Sequence, residues 1–132
     1  WSGSGKFTFG GQEMDLSSTM VFSFEGQFLK SVTTTEMGAM KMDETMMMGW
    51  NEPKKEYVSY TFTGFAPMPG IKHGKMDGSS LVMVSEPWEV EGQSVVSRST
   101  YAKVSDTKFR LTMELKDGDK WDKAMDLELT KK

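Results

Sequence analysis

Methionine is the residue type in this chain best suited to metal chemistry. The sequence contains 13 methionines and no cysteine, and several methionines fall in one short segment, at Met37, Met40, Met42 and the run from Met46 to Met48. Thioether sulfur is a soft ligand that suits Cu(I), and three or four methionines around one point can bind that ion. The spacing of the first three is typical of such copper sites.

The alternative interpretation of these methionines is structural. Met40, Met42, Met46 and Met48 alternate along one predicted strand and therefore share a face. Consecutive residues of one face lie roughly 7 Å apart, too far for two sulfurs of one strand to share an ion. Because methionine fills irregular apolar space, we favour a core or cavity lining over copper and predict no bound metal.

His73 is the only histidine and lies in a segment rich in proline and glycine, residues 66–79. It could act as a general base or as an axial haem ligand. The nearest carboxylate in sequence is Asp77. We expect a solvated loop histidine and predict no haem or other cofactor.

Glu44 shares the parity of the methionines and points inward if they do. An enclosed carboxylate costs several kcal/mol unless it is paired. Arg98 is the candidate partner if Val96 marks the inner face of its strand, and it would then be the polar anchor of an apolar cavity. The competing parity, with Val95 and Tyr101 inside, places Arg98 in water. Both alternatives remain open at this point.

The sequence contains few of the residues that nucleophilic catalysis requires. The usual triads need a histidine or a cysteine beside a nucleophile, and the chain has one histidine and no cysteine. Acidic residues fall mostly on the polar faces of predicted strands. We therefore predict that the protein is not an enzyme.

Alternation of apolar and polar residues between turn residues predicts strands along nearly the whole chain. The first begins at Trp1, and its alternate residues as far as Phe9 share one face. The others cover residues 14–24, 28–36, 40–50, 57–65, 80–86, 94–104, 108–116 and 121–131. Residues 66–79 are predicted to be irregular, and Asp117-Gly118 is a hairpin signal. In the strand 57–65, Val58, Tyr60 and Phe62 share a face.

The first strand indicates how the sheet closes. Gly3 and Gly5 lie on the same face as Phe7, and glycine in a strand often marks a bend or the close approach of another backbone. The 132 residues form one domain, residues 1–132. We predict an all-β, antiparallel, up-and-down barrel of about nine to ten strands, because closure removes exposed edges. A two-sheet sandwich is the alternative.

Charge and hydropathy exclude two classes of partner. A net charge of −3 argues against nucleic acid, since no basic face offsets the phosphates. No apolar run approaches the ~20 residues of a membrane helix, so we predict no membrane span. Because the chain starts inside a predicted strand, we expect that residues once preceded Trp1. An exported or periplasmic location is favoured slightly over a cytoplasmic one, and the oligomeric state stays open.

Several short motifs carry a family likeness. They are Trp1-x-Gly3-x-Gly5, Gly26-x-Phe28-Leu29, Met48-Gly49-Trp50-Asn51, Tyr57-Val58-Ser59-Tyr60, Asp117-Gly118 and Leu129-Thr130-Lys131. In order and spacing the set resembles the small lipocalin-like (calycin-like) barrels of an uncharacterised bacterial family, which are distantly similar to the haem-binding nitrobindins. The resemblance implies a barrel with a cavity, and it implies no reaction.

The chain also departs from these relatives. Lysine stands at Lys131, where relatives usually have arginine, and no histidine follows His73 to ligate haem as in nitrobindins. The Arg-x-Tyr anchor of fatty-acid-binding proteins is absent from residues 123–132. The resemblance further implies that a basic side chain of the last strand, here Lys131, covers the indole of Trp1.

These observations predict a non-catalytic binding module whose barrel interior takes a small apolar or amphipathic molecule. The predicted ligand-binding residues are Met40, Met42, Glu44, Met46, Met48, Tyr60, Phe62 and Arg98. Small barrels can also be filled by their own side chains, so the alternative is a solid barrel that acts as a structural or protein-interaction domain. An enzyme acting on a lipid-like ester ranks third.

Overall fold

Twelve β-strands make up the regular structure of the residues that the structure describes. The computed structural model describes residues 1–90 and 92–132. The strands are β1 (Ser2–Phe9), β2 (Gln12–Glu25), β3 (Phe28–Met37), β4 (Met40–Asn51), β5 (Glu56–Thr63), β6 (Gly70–Asp77), β7 (Ser80–Ser85), β8 (Trp88–Val90), β9 (Gln93–Val95), β10 (Ser97–Ser105), β11 (Lys108–Asp117) and β12 (Lys120–Thr130).

Ten of these strands form a closed antiparallel barrel. Its order is β1-β12-β11-β10-β7-β6-β5-β4-β3-β2, and β8 pairs with β9 in a separate two-stranded sheet. The chain therefore winds up and down, with β8 and β9 inserted between the neighbours β7 and β10. The predicted barrel is confirmed, and the sandwich alternative is wrong. The segment 66–79, predicted to be irregular, instead contains β6.

The strands follow the alternation of the sequence most clearly in the last hairpin. Leu111 and Leu127 are buried and directly opposite each other, while their neighbours Arg110 and Glu128 point outward. The turn between the strands contains Gly118, whose φ of +58° is in the left-handed region that suits glycine.

Closure depends on the two glycines of β1. This strand pairs with β12 from Ser2 opposite Thr130 onward. A Cβ on Gly3 would lie 2.9 Å from the Cα of Leu129 and would also overlap the carbonyl of Glu128. The predicted close approach of a second backbone is therefore confirmed, and the partner is the last strand.

The hydrophobic core lies on the side of the barrel formed by β1, β2, β11 and β12. Its buried members are Leu16, Met20, Leu111, Leu127 and Leu129. The outer face of this side carries charged pairs. Arg110 and Lys123, in that order of effect, lower the pKa of Asp126 to about 2 by hydrogen bonding to its carboxylate.

Trp1 packs into this core against an aromatic partner. Its ring meets Phe109 edge-on, with 5.0 Å between centroids. Lys131 is exposed, and its backbone N–H donates a hydrogen bond to the carbonyl of Thr107 at 2.8 Å. The predicted cation–π contact between Lys131 and Trp1 does not form: among the described residues such a contact joins Arg98 to Trp121, and β12 ends at Thr130, one residue before Lys131.

The other side of the barrel, β3 to β6, reverses the usual pattern. Ser31, Thr33 and Ser59 point inward and are buried. Val32 and Phe62, which alternate with inward residues on their strands, lie on the outer face and are exposed. Hydroxyl groups thus line part of the interior, and apolar side chains cover part of the exterior.

Candidate functional site

The two ends of the barrel differ. Because the strands alternate in direction, the turns after β2, β4, β6 and β10 lie at the same end as Trp1, which we call the Trp1 end. The turns after β1, β3, β5 and β11 lie at the opposite end, which we call the Gly118 end.

A cavity of about 370 Å³ occupies the interior at the Trp1 end. Most of its wall is apolar and includes Trp1, Phe22, Met46, Met48 and Phe109. The rings of Phe22 and Phe109 meet edge-on at 6.2 Å between centroids. Pockets of this size and lining are typical of sites for small molecules.

Polar groups border the deepest part of this cavity. Ser59 and Tyr101 contribute to its wall. Ser59 is directly opposite Lys72 in the β5–β6 ladder. Residues of the inner face recur at every second position of a strand. Toward the Gly118 end, the inner-face residue that follows Tyr101 on β10 is therefore Ser99, and the one that follows Met46 on β4 is Glu44.

Lys72, Ser99 and Glu44 form what we call the polar centre of the barrel. The Nζ of Lys72 donates a hydrogen bond to the Oγ of Ser99 at 2.8 Å. Lys72 and Glu44 are desolvated by the surrounding protein. Neither residue is fully buried.

Burial controls the protonation of the polar centre. Burial raises the pKa of the Glu44 carboxyl, and the positive charge of Lys72 partly opposes this effect. Burial lowers the pKa of the Lys72 ammonium, and the negative charge of Glu44 partly opposes it. Burial, together with Glu44, also raises the pKa of Tyr101.

The predicted site residues on β4 divide between the two ends of the barrel. Met46 and Met48 line the cavity, and Glu44 belongs to the polar centre. Met42 and Met40 share the inward parity but lie toward the Gly118 end, where Met40 is 52% exposed. Neither of these two residues lines the cavity.

Tyr60 and Phe62 were predicted to line the cavity, and this prediction is wrong. They are 45% and 52% exposed because they lie on the outer face of β5. Its inward positions carry Tyr57, Ser59 and Thr61. The two aromatic residues do share a face, but that face is the outer one, because the polar residues of β5 occupy the inner face.

Arg98 was predicted to be the polar anchor if it pointed into the barrel, and this inward orientation is wrong. Tyr101 points inward, and Arg98 lies on the outer face of β10. Its Nε donates to the Oε2 of Glu114 at 2.8 Å, and its guanidinium lies 4.5 Å from the ring centroid of Trp121. The lysines on the inner face are Lys72 and, in the cavity wall at the Trp1 end, Lys103.

Lys72, Ser99 and Tyr101 were absent from the predicted site. Lys72 lies in β6, which proline and glycine residues hide from strand prediction. Gly74 also has a packing reason to be glycine, since its Cβ would meet the Sδ of Met83 at 2.6 Å. Residues 71–75 contain one apolar side chain, Ile71, so no alternation marks this segment as a strand.

His73 lies on β6 and not in a loop. On the outer face its Nδ1 lies 3.0 Å from the Oε1 of Glu56, and its Nε2 lies 2.8 Å from the Oε1 of Glu86. These hydrogen bonds, with Glu86 first in effect, raise the pKa of the imidazole. Within the described residues no three acidic or histidine side chains are arranged to hold a metal ion.

We expect His73 to make stability depend on pH. A raised pKa means that its contribution is complete below 6.5, the ordinary value, and is lost as the pH rises through the raised value. His73→Gln should remove about 0.5–1 kcal/mol in acid and little in base. Urea unfolding at about pH 5.5 and about pH 9 measures this. An unchanged difference between the two pH values in the variant would contradict the assignment.

No protein-family model matches the sequence, and a search among curated proteins found no match. The part of the chain that the structure describes contains no helix that is long and apolar enough to cross a membrane. The site is therefore defined by its own geometry: an apolar cavity at the Trp1 end, with Lys72 and Glu44 next to two residues of its wall, Ser59 and Met46.

Proposed function

We propose that the protein is a non-catalytic binding module that takes a small apolar or amphipathic molecule into the Trp1 end of the barrel. The observation that carries this proposal is the cavity of about 370 Å³ with its mostly apolar wall. Such a void favours ligand binding over the alternative of a barrel filled by its own side chains. The adaptable side chains of Met46 and Met48 suit apolar ligands of varied shape.

We expect the native protein to bind the neutral probe N-phenyl-1-naphthylamine, whose fluorescence rises in an apolar environment. Met48→Trp should weaken this binding by about tenfold or more, because the larger side chain fills the cavity. Fluorescence titration measures the dissociation constant.

Met47→Trp is the matched control, since Met47 is the next residue of β4 and lies on the outer face opposite Lys30 and Tyr60. It should bind the probe as the native protein does. Absence of binding to the native protein, or equal loss in the two variants, would contradict the proposed function.

A specific observation favours one second candidate, a protein-interaction domain. Val21, Val32 and Phe62 are exposed on the outer face of β2, β3 and β5. The ladders place Val21 opposite Val32, and both Val32 and Phe62 opposite Thr45. An uncharged row of this kind across four strands is typical of surfaces that contact other proteins. Concentration-dependent sedimentation of the native protein and of Phe62→Ser tests it through self-association.

A further inference from the structure

The polar centre is electrically balanced. Lys72 and Glu44 are its ionisable members, on the inner faces of β6 and β4, and their charges interact through space without a hydrogen bond between them. With the proton on the amine, the two charges cancel. With the proton on the carboxylate, both groups are neutral. In either state the pair contributes no net charge to the interior.

The polar centre also has unused hydrogen-bonding capacity. Lys72 donates to Ser99, and an ammonium has three donors. Among residues 1–90 and 92–132 no side chain donates a hydrogen bond to the Glu44 carboxylate. Neither residue is fully buried. A polar group placed between them would therefore replace the hydrogen bonds to water that desolvation removed.

Only some head groups satisfy both members of this pair. A carboxylate or phosphate would accept from Lys72 but would meet the negative charge of Glu44. An ammonium would donate to Glu44 but would meet the positive charge of Lys72. A hydroxyl or primary amide accepts from one and donates to the other without adding charge.

The position of the pair relative to the cavity completes the argument. Ser59 and Met46 belong to the cavity wall. Ser59 is directly opposite Lys72, and Met46 is followed inward along β4 by Glu44. A chain whose tail fills the cavity thus has its head directed at the polar centre.

We propose that the ligand is an uncharged amphipath, an alcohol or primary amide of an alkyl chain, whose head lies between Lys72 and Glu44 and whose tail fills the cavity. This inference rests on the proposed function and names the ligand class of the same site.

The experiment is displacement of N-phenyl-1-naphthylamine by decanol, decanamide, decanoate and decylammonium. Because any apolar cavity prefers an uncharged chain, the informative result is the change in affinity on substitution. In Glu44→Gln the pair gains a net positive charge, so decanoate should bind about tenfold more tightly than it binds the native protein. Decylammonium should not gain in this variant.

Lys72→Met supplies the reciprocal variant. The pair then carries no cation, so decylammonium should bind about tenfold more tightly than it binds the native protein. Decanol should bind several-fold more weakly, because the hydrogen-bond donor of Lys72 is lost. Glu114→Gln is the control, since Glu114 pairs with Arg98 on the outer face of the barrel and its loss should change none of the four affinities. Circular dichroism of each variant establishes that it is folded.

The outcomes separate the two proposals. Displacement by all four compounds with affinities unchanged by Glu44→Gln and Lys72→Met would overturn the head-group assignment and leave the proposed function standing. Tightest binding of decanoate to the native protein would do the same. Failure of every compound and of the probe itself to bind the native protein would overturn both.

Discussion

We expect Gly5→Ala to lower the free energy of unfolding by about 3 kcal/mol or more, the upper range for an overpacked site. A Cβ at position 5 would lie 2.8 Å from the Cα of Leu127 and would overlap the carbonyl of Asp126. These are backbone atoms of β12, so no rotamer change relieves the clash. Only a shift of the β1–β12 ladder can do so, and that ladder closes the barrel.

The matched control is Gly64→Ala. No heavy atom lies within 4 Å of the position that its Cβ would occupy, and its φ is not left-handed. Its free energy of unfolding should stay within about 0.5 kcal/mol of the native value. Urea unfolding followed by circular dichroism measures both variants. A cost below about 1 kcal/mol for Gly5→Ala would mean that the two strands separate easily at closure.

Much of the fold could be predicted from the sequence because its strands obey simple rules. The alternation of apolar and polar residues in β11 and β12 predicted which side chains point inward, and Asp117-Gly118 predicted the turn between the two strands. Gly3 and Gly5 indicated a close backbone approach in β1, which β12 provides. Each of these signals is local, and local signals are sufficient when every strand pairs mainly with its neighbours in sequence.

The site was harder to predict because one side of the barrel reverses the expected pattern. If apolar residues are assumed to point inward, a strand whose inner residues are polar has its inner and outer faces assigned the wrong way round. For this reason the sequence pattern places Tyr60 and Phe62 in the cavity, while Ser59 and Lys72 line the interior. Arginine is rarer than lysine in this sequence, which made Arg98 a more conspicuous candidate than Lys72. Lys72, however, is the inward residue, and it lies on β6, a strand that the sequence pattern did not predict.

The inward parity of β4 is the one prediction on which the candidate site depends most, and it can be measured on two adjacent methionines. Met46 is 7% exposed and lines the cavity, whereas Met47 lies on the outer face opposite Lys30. Met46→Asp should cost about 3–5 kcal/mol, because it adds an unpaired carboxylate beside Glu44. Met47→Asp should cost less than about 1 kcal/mol, since the new carboxylate faces solvent and a lysine.

Urea unfolding of the two variants gives this comparison directly, with the same substitution on the same strand. The difference arises from desolvation: the carboxyl group that Met46→Asp introduces must be protonated or remain charged inside the barrel, and both states oppose folding. Raising the pH should widen the gap between the variants, because ionisation of the enclosed carboxyl becomes harder to avoid. Equal costs at the two positions would place β4 in the opposite register and would remove Met46, Met48 and Glu44 from the interior together.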